Sequence, residues 1–191
     1  THFKYFKEKL FIESTSMLNI VKKNKTPFYL YSGQQIKENY IKFAKIFKNV
    51  NPLICFAAKA NTNLTIMRML GRLGSGADVV SGGELLKALK AGIKPNKIVF
   101  SGVGKTEEEL KLAIKKKILL INVESESEAI LINRIGNKIN KIIPIGFRLN
   151  PNVDAKTHKK ISTGKAENKF GVSIKNFSSF YKNIKRFKYL K

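Results

Sequence analysis

Lys59, in Ala57-Ala58-Lys59-Ala60-Asn61, is the residue of this chain best placed to do chemistry. It follows an apolar run at 52–58 that reads as a buried strand, and it precedes Asn61-Thr62-Asn63, a helix-cap signal. A lysine at the end of a buried strand is desolvated, which favours the neutral amine, the form that condenses with a carbonyl. The competing reading is a lysine that snorkels to the strand rim. Other polar residues stand where apolar runs end. Asp78, in Gly76-Ala-Asp-Val-Val80, is a carboxylate at a strand end, a position that a helix cap or a salt bridge would account for. Arg148 stands at a strand end before Asn150-Pro151, where an ordinary ion pair with an Asp or Glu on a neighbouring strand would account for it. His158 lies in a long polar stretch at 150–168, which also holds Ser162 and Thr163. Polar stretches of that length inside α/β domains tend to be lids or binding loops, so His158 is a candidate substrate contact, against the alternative of a solvated loop histidine.

The elements that must position these residues repeat in architecture rather than in sequence. Apolar, β-branched runs recur at 28–31, 53–58, 77–80, 97–100, 119–123 and 142–149, and stretches of helical period lie between them at 35–47, 64–73, 83–91, 107–116 and 127–138. Ser81-Gly-Gly-Glu84, Thr106-Glu-Glu-Glu109 and Ser125-Glu-Ser-Glu128 are capping boxes directly after strands, and this role alone accounts for Glu84. Strand, cap, helix and stop, repeated, imply parallel strands with helical crossovers. No GxGxxG follows the first strand, so an open nucleotide-binding sheet is the weaker choice and a (β/α)8 barrel of TIM type leads. A whole barrel takes about 250 residues. These 191 residues supply five or six βα units, so an incomplete barrel is expected at 26–191, with a separate flanking element at 1–25. Ser101-Gly-Val-Gly-Lys-Thr106 imitates a P-loop, but position 99 is Val where that motif needs glycine; a tight βα turn is the better reading.

Composition narrows the partners. The net charge of +24 invites a nucleic-acid role, yet lysine dominates, is spread along the chain and accompanies abundant Ile and Asn, as a coding bias would produce. No specific nucleic-acid site is expected, and no metal site. A polyanion-binding protein is the alternative that charge alone motivates. No apolar run approaches the roughly 18 residues of a membrane span. A single cysteine, Cys55, excludes an internal disulfide framework and fits a reducing cytoplasm.

Eight segments, in this order, are similar to the fold-type III pyridoxal-phosphate decarboxylases, an α/β barrel family of the alanine-racemase and ornithine-decarboxylase kind. They are Thr26-Pro-Phe-Tyr-Leu-Tyr31, Phe56-Ala-Ala-Lys-Ala-Asn61, Gly76-Ala-Asp-Val-Val-Ser-Gly-Gly-Glu-Leu85, Phe100-Ser-Gly-Val-Gly-Lys105, Asn122-Val-Glu-Ser125, Arg148-Leu-Asn-Pro151, Thr157-His-Lys-Lys-Ile-Ser-Thr-Gly164 and Lys169-Phe-Gly171. The resemblance implies that Lys59 forms the Schiff base with pyridoxal 5'-phosphate, that Asp78 and Glu84 are carboxylates near it, and that Arg148 lies by the cofactor. The Thr157–Gly164 segment resembles the branch that decarboxylates meso-2,6-diaminopimelate to L-lysine, rather than the sister enzymes acting on ornithine, arginine or carboxynorspermidine; His158, Ser162 and Thr163 would then face substrate. A homodimer is implied as well. The family's ring-stacking histidine, Gly-rich phosphate loop, pyridine-nitrogen acid and cysteine proton donor are expected beyond residue 191. A lone 191-residue piece is accordingly expected to be inactive. A non-catalytic homologue on the same scaffold is the remaining alternative.

Overall fold

The computed structural model describes residues 2–153 and 170–191, so His158, Ser162 and Thr163 lie outside the described residues. The chain divides into two compact units, Thr1–Pro52 and Leu53–Lys191.

In the first unit, β1 (Phe3–Phe6), β2 (Lys9–Ile12) and β3 (Thr15–Ser16) form an antiparallel sheet in that order. Lys7 and Glu8, both at positive φ, make the two-residue turn between β1 and β2. Two helices follow, α1 (Met17–Lys23) and α2 (Gly33–Ile46). The Ser32 hydroxyl caps α2 by accepting from Gln35 N at 3.0 Å and donates to the Glu13 carboxylate at 2.7 Å. Glu13 also accepts from Gln34 N, and these two hydrogen bonds hold its carboxyl below the ordinary range. The strand expected at 28–31 does not form: among the described residues none pairs with it, and Tyr29 stands 90% exposed.

The second unit carries the repeat. Its elements run β4 (Cys55–Ala57), α3 (Leu64–Arg72), β5 (Gly76–Val79), α4 (Gly82–Lys90), β6 (Ile98–Phe100), α5 (Glu107–Lys116), β7 (Leu120–Val123), α6 (Glu126–Ile139), β8 (Ile145–Phe147), β9 (Leu149–Asn150), β10 (Val172–Ser173) and α7 (Ile174–Ile184). Strands β4 to β8 form one sheet in sequence order, every neighbour parallel, with registers such as Ala57↔Asp78, Asp78↔Val99, Val99↔Leu120 and Asn122↔Gly146. Leu190 pairs in parallel with Ile143 just before β8. This is the expected partial α/β barrel, five βα units in an unclosed parallel sheet. The core lies between sheet and helices, around the fully buried Phe100, Met67, Leu85, Ile98, Leu110, Ile121 and Ile132. Each such side chain contributes about 1.5–3 kcal/mol by leaving water. Among the described residues no helix is long and apolar enough to cross a membrane.

Candidate active site

The three capping boxes build the rim on which the site sits, and they do more than close their own helices. Ser81, Thr106 and Ser125 each accept from the backbone N–H three residues on, as their sequence spacing requires. Only Glu109 returns to its own cap residue, at Thr106 N; Glu84 and Glu128 reach one residue further back, to Val80 N and Glu124 N. Glu109 also accepts from Gly82 N at 2.7 Å, which ties the start of α4 to the start of α5. The Gly82 and Thr106 N–H groups hold the Glu109 carboxyl below its usual value.

One step round the sheet, Glu124 performs the same service while buried, with its side chain only 3% exposed. It accepts from Gly102 N at 2.8 Å and from Arg148 Nη1 at 3.1 Å. Lys105 secures the same turn from beneath. Its ammonium, 1% exposed, donates to Gly102 O, Asn122 O and Glu128 Oε1 at 2.6, 2.8 and 2.6 Å. The glycines of the P-loop imitation therefore shape a βα turn, and the lysine beside them is consumed by structure.

These turns surround a cleft of about 580 Å³ at the C-terminal edge of the sheet, where barrel chemistry resides. Its wall includes Lys59, Asp78, Ser101, Asn122, Arg148 and Phe170. Lys59 departs from the sequence expectation in one respect: it is exposed. β4 ends at Ala57, and in the 3-10 turn Ala58–Ala60 that follows, Ala58 takes the fully buried position and leaves Lys59 to the cleft. Its amine has no hydrogen-bond or ion-pair partner among the described residues, in contrast to Lys105.

Asp78, half-buried on β5, accepts from the Ser101 hydroxyl at 2.6 Å, and Ser101 accepts from Asn122 Nδ2 at 3.0 Å. Arg148 follows β8, pairs with Glu124 and stacks on Phe170 with its guanidinium carbon 4.9 Å from the ring centre. Glu84 stays in its helix cap and is not part of the cleft wall. Cys55 is half-buried in β4, and burial followed by the nearby Asp78 charge pushes its thiol up, away from the reactive thiolate. Ser101, Asn122 and Glu124 are the site residues that sequence reasoning missed as functional. A free amine beside one carboxylate and an arginine already neutralised by Glu124 make a cleft able to hold an aldehyde-bearing ligand.

Comparison with known proteins bears directly on that ligand. The family model described as pyridoxal-dependent decarboxylase, pyridoxal binding domain, matches residues 33–190. Diaminopimelate decarboxylase of Helicobacter pylori is 54% identical over 151 residues, covering 79% of this chain and 37% of that protein. The Aquifex aeolicus protein of the same name is 46% identical over 180 residues, covering 94% and 42%. A crystal structure of diaminopimelate decarboxylase from M. jannaschii in complex with L-lysine superposes with a TM-score of 0.90 at 38% identity, covering 99% of this chain and 45% of that one. The chain thus spans about two-fifths of the length of these relatives.

Proposed function

Since this chain belongs to the pyridoxal-dependent decarboxylases, through their pyridoxal-binding domain, we propose that it forms the cofactor-holding part of a longer enzyme that decarboxylates meso-2,6-diaminopimelate to L-lysine. The observation that carries the reading is Lys59, the cleft amine with no partner among the described residues, at the strand end where the family resemblance puts its Schiff-base lysine. The residues fit the cofactor: an aldehyde needs a free primary amine, and the other lysine near the turns, Lys105, has all three ammonium hydrogens engaged.

Lys59 would hold pyridoxal phosphate covalently through Nζ. What the cofactor supplies when bound is an electron sink for the pair released as the substrate carboxylate leaves as CO2. The chain's own part is placement. Asp78 sets one negative charge in the cleft wall, to pair with the Lys59 ammonium whenever substrate has taken its place. Arg148 is fixed by Glu124 and Phe170 and forms the far wall. The β4–β8 sheet holds these groups at the ends of β4, β5 and β8, which limits the motion each must lose on binding.

Diaminopimelate differs from ornithine or arginine in a second carboxylate at its distal end, so selectivity needs polar groups beyond the cofactor. His158, Ser162 and Thr163, outside the described residues, are assigned that role on their sequence. The same proposal includes homodimeric assembly, supported by the family resemblance, and a cytoplasmic location, supported by the cysteine usage.

Borohydride reduction of the full-length protein, followed by peptide mapping, should place the pyridoxyl group on Lys59. A label on Lys105 or another lysine would refute the assignment. Release of CO2 from meso-diaminopimelate, with ornithine and arginine inert, supports the substrate. Turnover of ornithine, arginine or carboxynorspermidine instead would point to a sister enzyme, and bound cofactor without turnover of any of the four to a non-catalytic homologue.

A further inference from the structure

Asp78 is the one carboxylate among the residues lining the cleft, and its partner is a neutral hydroxyl rather than a cation. A carboxylate only accepts hydrogen bonds, so the Ser101 hydroxyl must donate to it. Once that hydrogen is committed, Ser101 Oγ has only acceptor capacity left, and Asn122 fills it with an N–H at 3.0 Å. Asn122 is itself confined. It stands opposite Gly146 in the β7–β8 register, and a Cβ at Gly146 would come within 2.7 Å of Asn122 Oδ1. The bare backbone of β8 therefore makes room for the Asn122 amide, whose N–H fixes the Ser101 rotor, whose O–H fixes Asp78.

We propose that Ser101 and Asn122 are positioning residues that aim the Asp78 carboxylate at the Lys59 amine across the strand ends of β7, β6 and β5. Neither touches the reacting atoms; both act through Asp78. The charge balance of the cleft gives the arrangement its purpose. Of the lining ionisable groups, Arg148 is already neutralised by the buried Glu124, so Asp78 is the counter-charge left for Lys59. A salt bridge from Asp78 to another cation would spend that charge. A hydroxyl clamp holds one oxygen and leaves the carboxylate's negative charge available. A charge-assisted hydrogen bond such as Ser101 Oγ–H to Asp78 is about twice as strong as a neutral one, enough to hold one rotamer.

The inference rests on the pyridoxal reading of the cleft, and its test separates the two. In the full-length protein, Ser101→Ala should retain bound cofactor, lower kcat about tenfold with KM within about twofold, and shift the visible absorbance of the bound pyridoxal, as loss of a transition-state interaction predicts. Ser101→Thr, which keeps the hydroxyl, should restore both kcat and absorbance. In an Asp78→Asn background, adding Ser101→Ala should change kcat by less than about twofold and leave the absorbance where Asp78→Asn put it, because partners acting as one unit are non-additive. Independent, multiplying effects of Ser101→Ala and Asp78→Asn would overturn the relay, as would Ser101→Ala indistinguishable from wild type while the wild type binds cofactor at Lys59. A wild-type protein with no pyridoxal at Lys59 would refute the parent reading, and the relay with it.

Discussion

Lys105 offers the sharpest test of how the cleft is held together. Lys105→Met keeps most of the aliphatic stem, which packs near Phe100 with the amine 5.8 Å from the ring centre, and removes only the charge and its three donors. Three acceptors then lose their partner: Gly102 O, Asn122 O and Glu128 Oε1. Removing one member of a buried ion pair costs about 3–5 kcal/mol, mostly because the other charge is stranded. Glu128 is 12% exposed and its second oxygen still accepts from Glu124 N, so its charge is only partly stranded and the low end applies. The carbonyl losses are not simply additive to this, since all three bonds share one ammonium. The expected destabilisation is about 3–4 kcal/mol, which is close to a thousandfold in the folded-to-unfolded ratio at the upper figure. Urea unfolding of the full-length protein measures it, and amide hydrogen exchange locates it, with Gly102 N–H losing protection first because its turn is no longer tied down. Adding Glu128→Gln removes the stranded charge and should recover about half the loss. A cost below about 1 kcal/mol for Lys105→Met, or a double variant worse than the sum of the singles, would show that the buried pair does not hold the turn.

The remaining expectations concern the walls and the rim. Gly146→Ala places a Cβ 2.7 Å from Asn122 Oδ1 and 3.1 Å from Leu120, so it should cost about 1–3 kcal/mol and depress kcat by dislodging Asn122; Gly104→Ala, with nothing within 4 Å, should be near neutral in urea unfolding. Glu109 has a lowered folded-state value, so its stabilisation is present above the ordinary glutamate value of 4.5 and is lost as pH falls through the lower folded one. Glu109→Gln should therefore be less stable than wild type at neutral pH, with the two converging in acid; a gap that persists below the folded-state value would refute the charge argument. In the full-length enzyme, His158→Ala should lower kcat/KM for diaminopimelate while cofactor absorbance stays intact. Unchanged kinetics would return it to a solvated loop residue, and loss of cofactor would give it a structural role.

Much of the fold was legible because the βα repeat is written in local chemistry. Ser81, Thr106 and Ser125 each announce a helix start, and the apolar runs before them are the strands β5, β6 and β7 to within a residue or so. The β1–β2 hairpin carried no such signal. Its turn is Lys7-Glu8 rather than an Asn-Gly pair, and Phe3, Tyr5 and Phe6 are all exposed, so neither turn chemistry nor alternation marks it. The run at 28–31 misleads for the opposite reason, since its aromatics suggest a strand with which none of the described residues pairs. α7 was readable and passed over: Ser173 caps it, and Phe177, Phe180, Tyr181 and Ile184 fall at helical spacing.

The candidate site was legible only one residue at a time. Lys59, Asp78 and Arg148 stand out by charge at the ends of apolar runs. Ser101 and Asn122 carry no mark of their own, because a serine after a strand or an asparagine within one is ordinary. What gives them meaning is neighbour order. In a barrel of consecutive βα units, spatial order equals sequence order, so the polar residue at each strand end faces those of the strands before and after it. Taken that way, β4 to β8 contribute Lys59, Asp78, Ser101, Asn122 and Arg148 in turn, and all five line one cleft. A serine falling between an aspartate and an asparagine in that series can join them by donating to one and accepting from the other. The strand alignment needed for this is present in the sequence spacing, but the relation among these residues runs across the sheet from strand end to strand end rather than along the chain.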